Sequence, residues 1–105
     1  MTITIKTPGF TAKKELTDFV HEKVEKLSQF YTKIISSEVS LRSEKSATKE
    51  NKLCDIRLVI PGNDLLASSQ CKTFEEAVTQ SVEVLVKQLE KTKAKFPVRT
   101  KGGIL

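Results

Sequence analysis

Residues 53–71 run LCDIRLVIPGNDLLASSQC, two alternating stretches on either side of Pro61-Gly62-Asn63-Asp64. In the first, Cys54, Ile56, Leu58 and Ile60 fall on one face, whereas Asp55, Arg57 and Val59 fall on the other. One buried and one wetted face is the mark of an antiparallel strand. The Pro-Gly-Asn-Asp composition marks a turn, so Leu65–Cys71 returns as a partner strand. With a four-residue loop, Ile60 opposes Leu65, Leu58 opposes Ala67, Ile56 opposes Ser69, and Cys54 opposes Cys71. All eight then share a face, and the small residues at 67, 69 and 71 leave room for a helix to come close.

Downstream, Thr73-Phe74-Glu75-Glu76 forms a capping box, in which the Thr73 hydroxyl and the Glu76 carboxylate satisfy orphan amides. The helix it opens has a buried stripe of Phe74, Val78, Val82, Leu85 and Leu89. Its glutamates (Glu76, Glu83, Glu90) line one flank, and Lys87, Lys91 and Lys95 rise along the other side. Pro97 stops it, and residues 97–105 form a flexible tail. Upstream, Glu38–Arg42 alternates as a strand, and the polar run SEKSATKENK (43–52) spans its end and a mobile loop. Earlier still, Thr11 offers an N-cap to FTAKKELTDFVHEKVEKLSQFY (10–31), where Leu16, Phe19, Val20, Val24, Leu27 and Tyr31 keep helical spacing. Thr2–Lys6 alternates as a first strand, ended by Thr7-Pro8-Gly9.

The order β-α-β-β-β-α follows: an α+β domain, residues 1–96, with a four-stranded mixed sheet and two long helices packed on one face. The two strands joined by the first helix run parallel and the others antiparallel. Thr2, Thr4, Lys6, Asp55 and Arg57 suit a wet opposite face. The α-β-β-β-α part matches the topology of double-stranded-RNA-binding domains.

Charge is concentrated. The segment KQLEKTKAKFPVRTK (87–101) holds six basic residues against Glu90 alone, so it carries +5, the whole formal charge of the chain. The remaining twelve basic and twelve acidic residues cancel. Lys87, Lys91 and Lys95 recur at helical spacing and form a ridge of like charges, each i,i+4 pair costing a few tenths of a kcal/mol. Such a cluster is the footprint of a polyanion partner; the plainer reading is a solvated face with cations near a helix C-terminus. On the first helix, Lys23 lies within the apolar arc between Phe19 and Phe30, and Lys26 at its edge. Their stems can lie on apolar surface with the ammonium lifted out.

Other chemistry finds little support. Cys54 and Cys71 lack metal-ligand spacing and are expected as buried, reduced thiols. His21, the only histidine, sits among charged neighbours, and no nucleophile, phosphate-loop or metal motif accompanies it. No enzyme, cofactor or small-molecule substrate is expected. No apolar run approaches the ~18 residues that span a bilayer, and the N-terminus lacks a signal-peptide core, so a cytoplasmic address is expected.

FVHEKVEKLSQFY (19–31), together with the Ala67 strand and KTFEEAVTQSVEVLVKQLEKTKAKF (72–96), resembles the short form of the ribosome hibernation promoting factor family. That family takes in ribosome-associated inhibitor A (protein Y) and bears an older description as sigma-54 modulation protein. The resemblance covers nearly all of residues 1–96. It implies binding to the small ribosomal subunit between head and body, where the protein takes the place of mRNA and of A- and P-site tRNA during stationary phase or stress. Carried over by position, the rRNA-contacting residues are Lys23, Lys26, Lys87, Lys91 and Lys95, with Lys93 added on proximity. Two departures stand out: Lys72-Thr73-Phe74 replaces the usual Asp-Met-Tyr before the second helix, and Val84 stands where relatives often carry a ridge Lys. Long-form members have a second, ribosome-pairing domain, and this chain by itself is not expected to bridge two ribosomes. The alternatives are a free double-stranded-RNA module, disfavoured by the acidic start Phe74-Glu75-Glu76, and a protein-protein modulator of a sigma factor, which leaves the lysine ridge unexplained.

Overall fold

A computed structural model describes residues 1–44 and 51–95, the last three as helix backbone only. The chain runs β1 (Thr2–Lys6), α1 (Lys14–Phe30), β2 (Ser36–Ser43), β3 (Lys52–Ile60), β4 (Asn63–Cys71) and α2 (Phe74–Lys95). The sheet order is β1-β2-β3-β4, with β1 parallel to β2 and the other neighbours antiparallel. This is the expected β-α-β-β-β-α fold.

Period-two alternation sorts the sheet into two faces. Val39, Leu41, Cys54, Ile56, Leu58, Ile60, Leu65, Ala67 and Cys71 are buried on one of them. There they join Val20, Val24 and Leu27 of α1 and Val78, Leu85 and Leu89 of α2 in a single core. Along β3 and β4 the buried residues alternate with wetter ones, as the sequence demands.

The hairpin register differs from the four-residue loop. Pro61-Gly62 alone makes the turn, Ile60 opposes Asn63, Leu58 opposes Leu65, Ile56 opposes Ala67, and Cys54 opposes Ser69. Cys71 therefore faces Lys52 rather than Cys54. Pro61 fixes its own φ, and Gly62 takes the left-handed conformation (φ 81°) that a turn this tight requires. The slip is by two residues, so every side chain keeps its face and the core survives the error. Both cysteines are buried and neither is in a disulfide.

Three other boundaries shift. α1 does not start from a Thr11 cap: Lys13 holds the N-cap position without a side-chain hydrogen bond. The cause lies just upstream, where the Phe10 ring stacks on Phe74 with centroids 5.0 Å apart, leaving residues 11–13 to bridge from that anchor to the helix. In α2 the buried face includes Ala77 and Ser81, while Phe74 and Val82 are only half-buried. These small residues let α2 settle against β3 and β4, close enough for Ser81 Oγ to donate to Ser69 Oγ at 3.0 Å and to approach the Cys54 carbonyl at 3.4 Å. The β2–β3 ladder continues through the polar run, with Ser43 opposite Lys52 and the Asn51 carbonyl accepting from Glu44 N–H at 2.9 Å. The rest of the expected loop, 45–50, and the expected tail, 97–105, lie outside the described residues.

Thr73 performs its half of the capping box, its hydroxyl accepting from Glu76 N–H at 3.1 Å. At the edge of the sheet, Gln88 of α2 donates to the Leu66 carbonyl at 2.8 Å and so occupies part of the open β4 edge.

Candidate nucleic-acid interface

The two helices lie side by side in the same direction. Phe10, just ahead of α1, meets Phe74, the first residue of α2, and Tyr31, which closes α1, shares a cleft with Lys91 and Thr92 near the end of α2. A helix advances about 100° per residue, which places the expected cations. Gln88 faces the β4 edge, so the opposite flank of α2, carrying the half-buried Val82 and Val86, faces α1. On α1, Phe19, Lys23, Lys26 and Phe30 share the flank turned toward α2.

Lys23 is half-buried in that position, its ammonium 5.5 Å from the centroid of the Phe19 ring. The ring face attracts the cation and fixes the side chain. Lys26, one turn on, is exposed at the rim. Across the gap, Glu76, Glu83 and Glu90 occupy the near shoulder of α2, and Lys87 and Lys91 stand exposed beyond them. Positions 93 and 95 continue the helix, but their side chains lie outside the described residues. The four expected residues whose side chains are described thus divide into the α1 pair Lys23 and Lys26, bordering the helix–helix groove, and Lys87 and Lys91 on α2, with glutamates between the two sets.

Ion pairing separates these lysines from the arginines. On the open face of the sheet, Arg57 donates to Asp64 through Nε at 2.9 Å and reaches Glu38 at 4.0 Å, and Arg42 pairs with Asp55 at 3.4 Å. Asp64 also raises the Arg57 pKa further above its ordinary value. A shallow recess of about 370 Å³ on this face is lined by Lys6, Glu38, Asp55, Arg57 and Leu66 among others. Its charges are nearly balanced. Among the described residues no ion pair engages Lys23, Lys26, Lys87 or Lys91. Glu83 precedes Lys87 at the favoured i,i+4 spacing, yet the two do not come within salt-bridge distance. Within the described residues, the exposed lysines of the helical layer are therefore free of ion pairs, as are Glu76, Glu83 and Glu90 beside them.

Among the described residues no group of three or more His, Cys, Asp or Glu side chains could hold a metal ion, and no helix is long and apolar enough to cross a membrane. The Cys54 thiol is pushed up to about 12 by burial, partly opposed by its hydrogen bond with Ser81. A thiol so protonated is a poor nucleophile at neutral pH.

Residues 3–96 match the model of the family described as sigma 54 modulation protein / S30EA ribosomal protein. The chain belongs to this family. Membership places it among ribosome-associated proteins. No curated protein matches it in sequence. In structure it is similar to a ribosomal subunit interface protein from Coxiella burnetii, with TM-score 0.78 and 20% identity over 90% of this chain and 99% of that one. It is also similar to the N-terminal domain of Thermus thermophilus Protein Y, with TM-score 0.77 and 16% identity over 88% and 99% of the two chains. At such identities the likeness carries the fold alone, and the roles of individual lysines rest on the charge arrangement above.

Proposed function

We propose that the protein binds the small ribosomal subunit near the decoding centre and silences translation during stationary phase or stress by occupying the space of mRNA and tRNA. Lys87, Lys91, Lys93 and Lys95 of α2 and Lys23 and Lys26 of α1 contact rRNA phosphates in this reading. The protein acts in the cytoplasm, by occlusion rather than by catalysis. The observation that carries it is the contrast in pairing: among the described residues the arginines of the sheet are matched by carboxylates, whereas Lys26, Lys87 and Lys91, exposed on the helical layer, are in no ion pair. Family membership and the name of one similar structure, a ribosomal subunit interface protein, support a ribosomal partner.

Five or six cations each neutralising a phosphate give a slope of log affinity against log salt of roughly −4 to −5. From 50 to 200 mM salt, affinity then falls roughly 250- to 1,000-fold. The direct test is charge reversal of Lys87, Lys91 and Lys95 together, read as inhibition of a cell-free translation extract and as co-sedimentation with purified small subunits. Both should be lost. Undiminished inhibition by the triple variant overturns the proposal. Binding to plain duplex RNA as tight as to small subunits would instead favour the double-stranded-RNA module, against which the exposed Glu75 and Glu76 at the start of α2 argue.

A further inference from the structure

At the end of the sheet, where α1 stops, β3 turns into β4 and α2 passes overhead, lies a cleft that phosphate contacts alone leave unused. It encloses about 600 Å³ and is lined by Tyr31, Ile60, Pro61, Asn63, Lys91 and Thr92 among others. That volume is within the range of roughly 300–1,000 Å³ typical of small-ligand sites. The lining joins an aromatic ring and the apolar surface of Ile60 and Pro61 to one amide side chain and one ammonium. Tyr31 is only half-buried, and Asn63 and Lys91 are exposed.

The electrostatics give the cleft a direction. The C-terminal end of α1 carries partial negative charge, and no basic residue in its last turn offsets it. A phosphate is therefore unwelcome beside Tyr31 and is drawn to Lys91 across the cleft. What suits the Tyr31 side is a flat, uncharged, polarizable group, and Asn63 can both donate to and accept from the edge of such a group. A nucleobase attached to a phosphate has this division. A base in a duplex does not, because its faces are already stacked and its edge paired.

We propose that this cleft holds one unpaired nucleotide of RNA, its base stacked on Tyr31 with Asn63 at its edge and its phosphate against Lys91. The proposal rests on the reading of α2 as an RNA-facing surface and adds a base pocket to it. The ridge supplies charge without preference for strandedness, whereas the cleft selects single-stranded RNA, because aromatic platforms accept the face of any base.

Tyr31 is the only tyrosine in a chain without tryptophan, so its fluorescence reports on this cleft alone. Titration of the full chain with single-stranded hexaadenylate should quench that fluorescence saturably. Inorganic phosphate and a duplex of equal length should not. Polarization of a labelled hexaadenylate should show Tyr31→Phe binding within twofold of the parent, and Tyr31→Leu, which keeps apolar bulk but no ring, binding about ten-fold more weakly. Tyr31→Leu should leave the salt slope unchanged, and Lys91→Gln should make it shallower. Hexaadenylate that binds without quenching Tyr31, or that binds Tyr31→Leu as tightly as the parent, overturns the proposal. Because the oligonucleotide assay contains no ribosome, quenching without small-subunit binding sinks only the ribosomal reading, and small-subunit binding without quenching sinks only the pocket.

Discussion

Ser37 and Ser81 are both fully buried, and the same substitution should move stability in opposite directions at the two sites. Ser37 lies on the core face of β2, between Ile3 of β1 and Leu58 of β3, and its hydroxyl has no hydrogen-bond partner. An unpaired buried hydroxyl costs about 1–3 kcal/mol relative to water. Replacing it with a hydrogen removes that cost and leaves only a one-atom gap, so Ser37→Ala should stabilise the protein by about 1 kcal/mol. Ser81 differs, since its hydroxyl bonds to Ser69 and approaches the Cys54 carbonyl. Ser81→Ala loses a bond worth about 1 kcal/mol net, recovers up to about 0.5 kcal/mol from the better helix preference of alanine, and should destabilise by about 0.5 kcal/mol. The gap between the two variants is about 1.5 kcal/mol, and at about 4–8 °C per kcal/mol for a domain near this size it amounts to a melting difference of about 6 °C or more. Urea unfolding followed by far-ultraviolet circular dichroism measures it, provided both variants share one m-value. A Ser37→Ala protein no more stable than the parent refutes the reasoning.

Two further outcomes follow from the same core and turn. Cys54 has its pKa raised from an ordinary 9.0 to about 12, chiefly by burial; because the unfolded chain ionises first, this contribution is intact below pH 9 and is lost as pH rises from about 9 toward 12. Stability should fall along that limb by at most about 1.4 kcal/mol per pH unit, Cys54→Ala should flatten it, and an equally steep limb in the variant shows that another group is responsible. At Gly62, φ is 81° and an added Cβ would meet nothing within 4 Å, so Gly62→Ala should destabilise through backbone strain alone, by about 1 kcal/mol. Chemical denaturation checks this, and an unchanged midpoint would mean that the turn can rearrange.

What the sequence by itself determined is whatever depends on period. Alternation in 53–60 and 65–71 assigned the side chains of those stretches to their faces, and spacing in 19–31 placed Val20, Val24 and Leu27 in the core. That positions 87, 91 and 95 fall on one helix was equally legible, since spacing within one element sets it. Tertiary structure decided what depends on two segments meeting. The four-residue loop and the Pro61-Gly62 turn share the same parity, so alternation could not choose between them; the backbone conformation at Gly62 did. Thr11 has the right side chain for a cap, yet the Phe10–Phe74 stack fixed the chain just before it and the helix began later. Ala77 and Ser81 look unremarkable in sequence, and only the close approach of α2 to the small residues of β4 buries them. Tyr31, Asn63 and Lys91 are far apart in the chain, and no local pattern joins them. They come together because the two helices run in the same direction over one sheet, which brings the end of α1, the hairpin turn and the last turns of α2 to a common edge.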